Sequence, residues 1–481
     1  MNFKMIFYTI GNIFKLEALL LLFPLVVSLI YKENTFLSFI IPIAILLALG
    51  FGLSIKKPKN RTMYAREGFI IVGLSWILMS LFGALPFVIS KEIPRFIDAF
   101  FETVSGFTTT GASVLTDVEA LSKGILFWRS FTHWVGGMGV LVFIMAILPS
   151  SDGDTIHILR AESPGPQVGK LVSKIKVNAR ILYLIYFALT IIEILLLLIG
   201  KMPLFDSIVH AFGTAGTGGF GIKNASIGAY NNYCQIVIGI FMILFGINFN
   251  IFFFILIGNF KQAFKSEELH WYLSIIFISI ALITVNIMLS DVNAVFSTTL
   301  KDAFFQVSSI ITTTGYSTTN FDAWPELSRA ILVVLMFFGA CAGSTGGGIK
   351  ISRVAMLVKS SKREISKLIH PHRVQNVRFE GNVVSEDTVK GVFAYFSIFM
   401  IIFVLCVLLV GIENRDLTTN LTAVGACINN IGPGLSIVGP IGNYSSFTVF
   451  SKIVLIFAML VGRLEIFPVL LLFIPNMWRN K

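Results

Sequence analysis

The sequence predicts an all-α integral membrane protein: two N-terminal transmembrane helices, then four pseudo-repeats of helix, pore helix, loop and helix around a central pore. Composition is the first observation behind this prediction. Of the 481 residues, 55% are hydrophobic and only 13% are charged, whereas about a quarter of the residues in a soluble domain are charged. The second observation is a short segment that recurs four times with one internal pattern. A water-soluble globular protein is therefore excluded.

Ten apolar runs are long enough to cross a bilayer, because a core about 30 Å thick takes roughly 20 residues of helix. Helices are predicted since unpaired backbone is costly in lipid, and the runs are too continuous for barrel strands. The first run follows Lys4 without a small-residue cleavage pattern, so we expect a retained helix and no signal peptide. The runs are 13–31, 37–55, 68–89, 127–150, 181–200, 233–258, 271–289, 330–349, 388–411 and 447–475.

The basic residues are distributed unequally across the predicted membrane. With both termini in the cytoplasm, 25 of the 37 Lys and Arg residues lie on the cytoplasmic side and 11 outside, with Arg463 inside a span. This asymmetry follows the positive-inside rule. It explains the net charge of +11 without a nucleic-acid partner, and the lipid bilayer is the expected surrounding.

Four short segments between pairs of spans share one pattern. Each begins with an Asp and reaches a Gly 12 to 16 residues later, and successive glycines are 107, 97 and 117 residues apart. The first three glycines follow a Thr-rich or Gly-rich stretch, and the fourth departs from this pattern with Asn429, Asn430 and Ile431. An Asp at a helix start accepts hydrogen bonds from unpaired amides, so each segment predicts a short helix followed by a loop. The pairs are Asp98 and Gly111, Asp206 and Gly218, Asp302 and Gly315, and Asp416 and Gly432.

The repeated loops are predicted to meet at one axis. Two crossings separate successive loops, so all four enter from the same side, which disfavours inverted repeats. Irregular backbone at this depth is tolerated where it lines a watery cavity or is buried in protein. A ring of carbonyl oxygens replaces the hydration shell of a monovalent cation, and glycine permits the backbone angles required. One such loop alone is more simply a turn between helices; the fourfold repetition favours an ion site.

The residues resemble a known family, the TrkH-type pore subunits of the Trk/Ktr/HKT potassium transporter superfamily. The likeness covers nearly the whole chain, and the two extra N-terminal spans favour the TrkH branch. It is carried by WRSFTHWVGGMGV (128–140), AESPGP (161–166), CAGSTGGGIK (341–350), ACINNIGPG (426–434) and GRLEIFPVL (462–470).

The resemblance implies a homodimer in the bacterial inner membrane. Each protomer would hold its own K+ pore, gated by a cytosolic TrkA-type subunit that binds nucleotides. In this family the filter glycine of each repeat is associated with K+ selectivity, and plant relatives with serine in the first repeat tend to admit Na+. The expected K+-binding residues are Thr109, Thr110, Gly111, Gly216, Thr217, Gly218, Thr313, Thr314, Gly315, Asn430, Ile431 and Gly432.

A further glycine-rich stretch interrupts the span 330–349. It is not a phosphate-binding loop, because Ile349 and not Lys follows the last Gly and no strand precedes it. Small residues also form helix contacts in membranes, but seven in a row, 342–348, exceed what a contact needs. The resemblance implies a gating loop inside the membrane. The expected gate consists of Gly343, Ser344, Thr345, Gly346, Gly347, Gly348 and Arg463.

Two charged residues lie deep inside predicted spans. A buried arginine costs at least about 2.5 to 3.5 kcal/mol on insertion scales, so Arg463 needs a partner or a watery cavity. Glu465 is a poor partner because it faces elsewhere on the helix. We favour a pore-facing Arg463 that acts as an electrostatic barrier over a structural ion pair. For Glu193 we favour a structural hydrogen bond to a neighbouring helix over a proton relay.

Nothing in the sequence predicts a catalytic site or a cofactor bound by this chain. The four cysteines lie in apolar segments and imply no disulfide framework, and the six histidines are scattered without metal-ligand spacing. The basic loops 151–180 and 350–387 carry no dinucleotide motif, so nucleotide control is expected from another chain. Alternatives to a K+ channel-like pathway are a symporter of K+ with H+ or Na+ and, more distantly, a membrane-embedded enzyme or receptor.

The chain therefore divides into five predicted segments. An N-terminal two-helix segment precedes the four pore repeats. The segments are 1–64 for the two helices and 65–160, 175–260, 268–360 and 385–481 for the repeats.

Overall fold

The computed structural model describes most of the chain as α-helix. The strands found in the described residues form one hairpin, β1 (Arg378–Phe379) and β2 (Asn382–Val383). The sequence motif at 161–166, most of the loop 151–180 and the end of the apolar run 127–150 lie outside the described residues. The described residues are 1–56, 58, 64–139, 175–291, 293–373 and 375–478.

The helices of the described chain are numbered here in order. Side-chain oxygens begin several of them by accepting a hydrogen bond from the third residue on; Ser266, Ser385 and Thr448 do so for α13, α17 and α19. The helices are α1 (Phe3–Leu20), α2 (Leu22–Ile30), α3 (Phe36–Ser54), α4 (Ala65–Gly83), α5 (Leu85–Ile89), α6 (Phe96–Phe107), α7 (Lys123–Gly137), α8 (Ile175–Ile199), α9 (Leu204–Ala215), α10 (Asn232–Phe245), α11 (Phe249–Leu256), α12 (Phe260–Ala263), α13 (Glu267–Ser290), α14 (Phe296–Ile311), α15 (Glu326–Phe337), α16 (Ile351–Ile369), α17 (Glu386–Gly411), α18 (Leu417–Ile428), α19 (Val449–Arg463), α20 (Phe467–Leu472) and α21 (Pro475–Trp478).

Six helical segments in the described residues are long and apolar enough to cross a membrane, and the pair α10 and α11, bent by 94°, makes a seventh. Other predicted spans are interrupted. The run 330–349 is helical only as far as Phe337, where the small-residue stretch begins. The run 447–475 breaks after Arg463, because Glu465 and Ile466 adopt positive φ angles that a helix does not contain.

The short helices pack in a cyclic order. In chain order, four sets each consist of a long first helix, a short helix and a second helix, which is α7, α10, α15 or α19. In the last three sets the second helix is interrupted within the described residues. The short helix α9 packs on α7 of the preceding set, α14 packs on α10, and α18 packs on α15. Finally α6, the first short helix, packs on α19 of the last set, so the four sets close into a ring.

The predicted Asp caps occur at only one of the four short helices. Asp416 is the N-cap of α18 and accepts from the Thr419 amide at 2.9 Å. Asp98 and Asp206 are the third residues of α6 and α9, and Asp302 lies well inside α14. The prediction was wrong for Asp302 because α14 begins six residues earlier, at Phe296.

The two N-terminal helices α1 and α3 cross at a pair of glycines. A Cβ atom on Gly50 would come within 2.9 Å of the Gly11 carbonyl oxygen, and the reverse distance is the same. Small residues at a helix crossing let the backbones approach closely, which supplies packing energy between helices in a membrane. Gly52 faces open space in the same helix, with no atom within 4 Å of its Cβ position.

Gly50→Leu is therefore expected to destabilise the protein by about 1–3 kcal/mol, the usual cost of overpacking. The control is Gly52→Leu, which lies half a turn away and meets nothing. Thermal unfolding in detergent measures the difference. Equal melting temperatures for the two variants would contradict the close crossing of α1 and α3.

Candidate functional site

The four short helices end in the same way. The second residue after each helix has a positive φ: Thr109 (54°), Thr217 (54°), Thr313 (59°) and Asn430 (55°). The next amide then donates back to the carbonyl five residues earlier, which is the arrangement of a Schellman cap. These bonds are Thr110 to Ser105, Gly218 to Gly213, Thr314 to Ser309 and Ile431 to Ala426, at 2.8 to 2.9 Å.

A glycine with positive φ follows at the same position in every loop. The angles are 78° at Gly111, 75° at Gly219, 86° at Gly315 and 94° at Gly432. Left-handed backbone is strained for residues with a Cβ atom, and at these four positions a Cβ atom would also lie within 2.7 Å of a carbonyl oxygen of a neighbouring loop, so glycine is required.

The predicted register of the second loop is one residue out. The sequence prediction used Gly216, Thr217 and Gly218, but Gly216 is the C-cap of α9. In the structure, Thr217, Gly218 and Gly219 of the second loop are equivalent to Thr109, Thr110 and Gly111 of the first loop, with matching φ angles and hydrogen bonds. Two adjacent glycines in this loop made both registers compatible with the sequence. Gly219 is thus a site residue that the sequence prediction missed.

The four glycines touch their neighbours in a closed circle. A Cβ atom on Gly111 would overlap the carbonyl oxygen of Gly218, and one on Gly219 would overlap that of Thr314. In turn, Gly315 faces the carbonyl oxygen of Ile431, and Gly432 faces that of Thr110. Each contact joins one loop to the next, and the fourth returns to the first. The loops therefore surround one axis with main-chain atoms.

A cavity of about 250 Å³ opens on one side of this ring. All four left-handed glycines, Gly111, Gly219, Gly315 and Gly432, contribute to its wall. The remaining wall comes from the chain that follows each loop, including Arg129. The ring thus forms the floor of an open vestibule.

A buried ion pair between Arg129 and Glu102 supports the chain segments that follow the first two loops. Arg129 and Glu102 are 3% and 1% exposed, and Nε of Arg129 lies 2.6 Å from the Glu102 carboxylate. Glu102 also accepts from the Val114 amide at 2.9 Å, and Arg129 donates to the Gly221 carbonyl at 2.9 Å. Its guanidinium stacks on Phe220. The pair therefore fixes the chain leaving Gly111 to the chain leaving Gly219.

Other loops are joined by neutral hydrogen bonds. The Tyr316 hydroxyl donates to the His210 carbonyl at 3.2 Å, which ties the third loop to the second short helix. Asn430 donates to the Thr110 hydroxyl at 2.9 Å, and the Tyr444 hydroxyl donates to the Gly432 carbonyl at 2.7 Å. These bonds hold the ring from outside and leave its inner carbonyls available.

The predicted gate residues 343–348 lie in an irregular loop, residues 339–350, against the opposite side of the ring. The Gly347 amide donates to the Thr313 hydroxyl at 2.7 Å, and a Cβ atom on Gly347 would approach the Asn429 carbonyl at 2.8 Å. The base of the loop is closed by the Gly339 amide, which donates to Ile349 at 2.7 Å. The loop therefore lies directly beneath the third and fourth filter loops.

The intramembrane loop is also tied to the bend between α10 and α11. The Cys341 amide donates to the Gly246 carbonyl at 3.0 Å, and the Phe249 amide donates to the Gly343 carbonyl at 3.1 Å. Beneath the ring, the buried Lys350 ammonium donates to the Gly346 carbonyl. These contacts give a loop without helix or sheet structure a defined position.

Arg463 reaches the same loop from the end of α19. Its guanidinium donates to the Thr345 carbonyl at 2.8 Å and to the Gly136 and Gly137 carbonyls at 2.5 and 2.7 Å. Glu465 does not pair with it but with Arg353, at 3.0 Å. The partners of the Arg463 guanidinium are thus backbone carbonyls, which the sequence could not identify, and they hold it beside the loop.

Glu193 is fully buried in α8. Its carboxyl interacts with the Thr214 hydroxyl of the neighbouring helix α9, which is the kind of partner that was predicted. The contact does not meet strict hydrogen-bond geometry in the described residues, and the same hydroxyl donates to the His210 carbonyl at 2.9 Å.

The fold and the site define a multi-pass α-helical membrane protein with a constriction made of main-chain atoms. Comparison with known proteins gives the family: the chain belongs to the TrkH family of cation transport proteins, which it matches over residues 34–480. The predicted all-α membrane fold and the predicted family are confirmed.

Similar proteins cover the whole chain. The Trk system potassium uptake proteins TrkH of Salmonella typhimurium and of Escherichia coli K12 are each 35% identical to it, with 100% of both chains covered. The crystal structure of the potassium transporter TrkH from Vibrio parahaemolyticus matches with a TM-score of 0.90 and 32% identity, again over 100% of both chains. These relatives are bacterial, which agrees with the predicted inner-membrane location.

Removing one member of the buried ion pair is expected to be costly. Arg129→Gln leaves the Glu102 carboxylate buried without its counter-charge, so the free energy of unfolding should fall by about 3–5 kcal/mol. The double variant Glu102→Gln with Arg129→Gln should recover part of this loss. Chemical denaturation in detergent measures both.

The matched control is Lys223→Gln, which removes a cation from an exposed pair with Glu119. Such pairs contribute about 1 kcal/mol or less. If Arg129→Gln and Lys223→Gln lost equal stability, the proposed support of the ring by Arg129 would be wrong.

Proposed function

We propose that this chain takes up K+ through a channel-like pore whose selectivity filter is the ring of four loops. The closed circle of glycine–carbonyl contacts is the observation that carries the proposal. The ion is inferred from the relatives, which are named potassium uptake proteins. Membership in a family of cation transport proteins also favours transport over an enzyme.

The ring suits a dehydrated monovalent cation. Carbonyl oxygens of Thr110, Gly218, Thr314 and Ile431 lie at equivalent positions of the four loops. Carbonyl dipoles replace the water shell of K+ in filters of this kind. The four short helices end at the ring, so the partially negative ends of their dipoles also favour a cation there.

The fourth loop makes the ring chemically unequal. Asn430 and Ile431 replace the Thr pairs of the first and third loops, and Gly218 replaces the second Thr in the second loop. The Asn430 amide donates to the Thr110 hydroxyl, which is therefore less available to an ion. We infer that the main-chain carbonyls, which every loop provides, are the principal ligands.

The intramembrane loop 339–350 is proposed as the gate. It lies beneath the ring, and Arg463 donates to its Thr345 carbonyl while placing a positive charge close to the ion path. A cation approaching from below would meet both a steric and an electrostatic barrier. Residues 343–348 and Arg463, predicted as the gate, are retained in this proposal.

A cytosolic nucleotide-binding subunit of the TrkA type is proposed to move the gate. The helix α16 follows the loop directly and ends in an exposed apolar patch of Ile365, Leu368 and Ile369. Lys362 and Lys367 flank this patch. An exposed apolar patch with a polar rim is typical of a protein interface. A homodimer, with one pore in each protomer, completes the proposed assembly.

A symporter of K+ with H+ or Na+ is the alternative. The buried carboxyl of Glu193 favours proton coupling, because it has no hydrogen bond of good geometry in the described residues. Currents across a planar bilayer distinguish the two functions. A channel-like pore reverses near the K+ equilibrium potential, whereas the reversal potential of a symporter moves with pH or with Na+. Absence of any K+ flux into liposomes would reject both.

Gly219→Ser is expected to relax discrimination against Na+. A Cβ atom in this left-handed position costs about 1–2 kcal/mol and overlaps the Thr314 carbonyl oxygen. A distortion of that energy corresponds to roughly a tenfold lower K+/Na+ permeability ratio. Gly111→Ser should act in the same direction, and ion flux into liposomes measures both ratios.

Gly221→Ser is the matched control, two residues further along. Its Cβ position meets no atom closer than 3.4 Å, and its φ is not positive. An unchanged permeability ratio in Gly219→Ser, in protein that folds normally, would remove Gly219 from the filter.

Arg463→Ala is expected to raise flux several-fold in the absence of the cytosolic subunit. The change removes the cation and the hydrogen bond to the Thr345 carbonyl, so the loop loses one of its attachments. Deletion of 346–348 should have the same effect. Arg329→Ala, which removes an arginine paired with Glu326 and Asp322, serves as the control. Flux that stays at the wild-type level in both altered proteins would contradict the gate.

A further inference from the structure

A single carboxylate oxygen holds both ends of the intramembrane loop. Glu268, in the first turn of α13, is 2% exposed. Its Oε1 atom accepts from the Ala342 amide at 2.7 Å and from the Ser352 amide at 3.0 Å. Ala342 lies near the start of the loop, and Ser352 lies just after its end. The same side chain therefore fixes the distance between the two.

Both amides depend on this carboxylate. Ala342 and Ser352 are 2% and 0% exposed, so water is excluded from them. Ser352 is the second residue of α16, where backbone amides have no partner within the helix and the helix dipole favours a negative charge. Leaving a buried backbone donor without an acceptor is costly. Glu268 thus accepts hydrogen bonds from two buried amides that would otherwise have no acceptor.

The cytoplasmic side of the same helices is joined by the hairpin β1–β2. The two residues of its turn, Glu380 and Gly381, have positive φ angles, as a tight hairpin of this length requires. The Glu380 carboxylate accepts from the Ser266 hydroxyl at 2.9 Å and from the Glu268 amide at 3.0 Å. The hairpin therefore caps α13 at the residue that binds the loop.

The hairpin also contacts α16. Lys359, two turns into that helix, donates to the Arg378 carbonyl at 2.8 Å and pairs with Glu267. Phe379 packs with Ala355 and Met356 of α16. Accordingly α13 and α16 are connected at two levels, by the hairpin at the cytoplasmic surface and by Glu268 beneath the loop.

We propose that Glu268 is a positioning residue that latches the intramembrane loop in its closed position, and that movement of α16 away from α13 releases it. The inference rests on the proposed function of the loop as a gate. Because α16 bears the proposed docking patch, a partner that pulls this helix would withdraw the Ser352 amide from Glu268. Ala342, near the start of the loop, would then no longer be held at a fixed distance from Ser352, just after its end.

Glu268→Ala and Glu268→Gln test the latch in liposomes without a cytosolic subunit. The alanine variant leaves both amides unpaired, so K+ flux should rise by about tenfold, as expected for a loss of roughly 1.4 kcal/mol. The glutamine variant keeps an uncharged acceptor oxygen and should rise less. Damage to the pore would lower flux instead. Glu326→Gln, an exposed carboxylate on another helix, is the control and should match the wild type.

A second measurement follows the loop itself. Cys341, adjacent to Ala342, is fully buried. In detergent-solubilised protein, a small thiol reagent should modify Cys341 faster in Glu268→Ala than in the wild type, as followed by mass spectrometry. Faster modification together with raised flux supports the latch. Unchanged modification and flux in a folded Glu268→Ala protein would overturn it.

The same assays separate this inference from the proposed function. If the wild type carries no K+ flux, the proposed function fails, and Cys341 modification still reports whether Glu268 holds the loop. If the wild type carries K+ and Arg463→Ala raises flux while Glu268→Ala does not, the gate stands and the latch fails.

Discussion

The structure depends on one steric constraint, the contact of each left-handed glycine with a carbonyl oxygen of the next loop. Only glycine fits there, because a side chain would overlap the neighbouring main chain. The contacts close on themselves after four steps, and so does the packing of the short helices on the second helices. Helix order, loop register and the vestibule are consequences of this circle. Hydrogen bonds donated by Arg129, Tyr316 and Asn430 stabilise this ring of contacts.

The interrupted helices follow from the same constraint. Main-chain atoms at the centre of a membrane protein need partners or water, and the helices α10 and α19 end where their last residues contact the loop 339–350. The loop forms hydrogen bonds with the residues around it, among them Gly246, Thr313 and Arg463. Apart from the bridge at its base, where the Gly339 amide donates to Ile349, the loop is positioned by these separate contacts.

Much of this arrangement could be predicted from the sequence. Of the ten predicted spans, six are helical segments long enough to cross a membrane within the described chain, and a seventh is the bent pair α10 and α11. The recurring Asp-to-Gly segments lie where the four short helices and their loops are found. The register of the second loop could not be fixed, since adjacent glycines at 218 and 219 fit equally until backbone angles were known. Asp302 failed as a cap because α14 starts earlier. Glu268 was missed because it precedes the apolar run, and its role depends on amides 74 and 84 residues away.

The location of bound ions tests the central claim most directly. Crystals of the protein soaked in Rb+ or Tl+ salts would show these K+ substitutes by anomalous scattering. The account predicts peaks on the axis of the ring, surrounded by the carbonyl oxygens of Thr110, Gly218, Thr314 and Ile431. Peaks confined to other parts of the molecule, with an empty axis at occupancies that saturate those other sites, would contradict it.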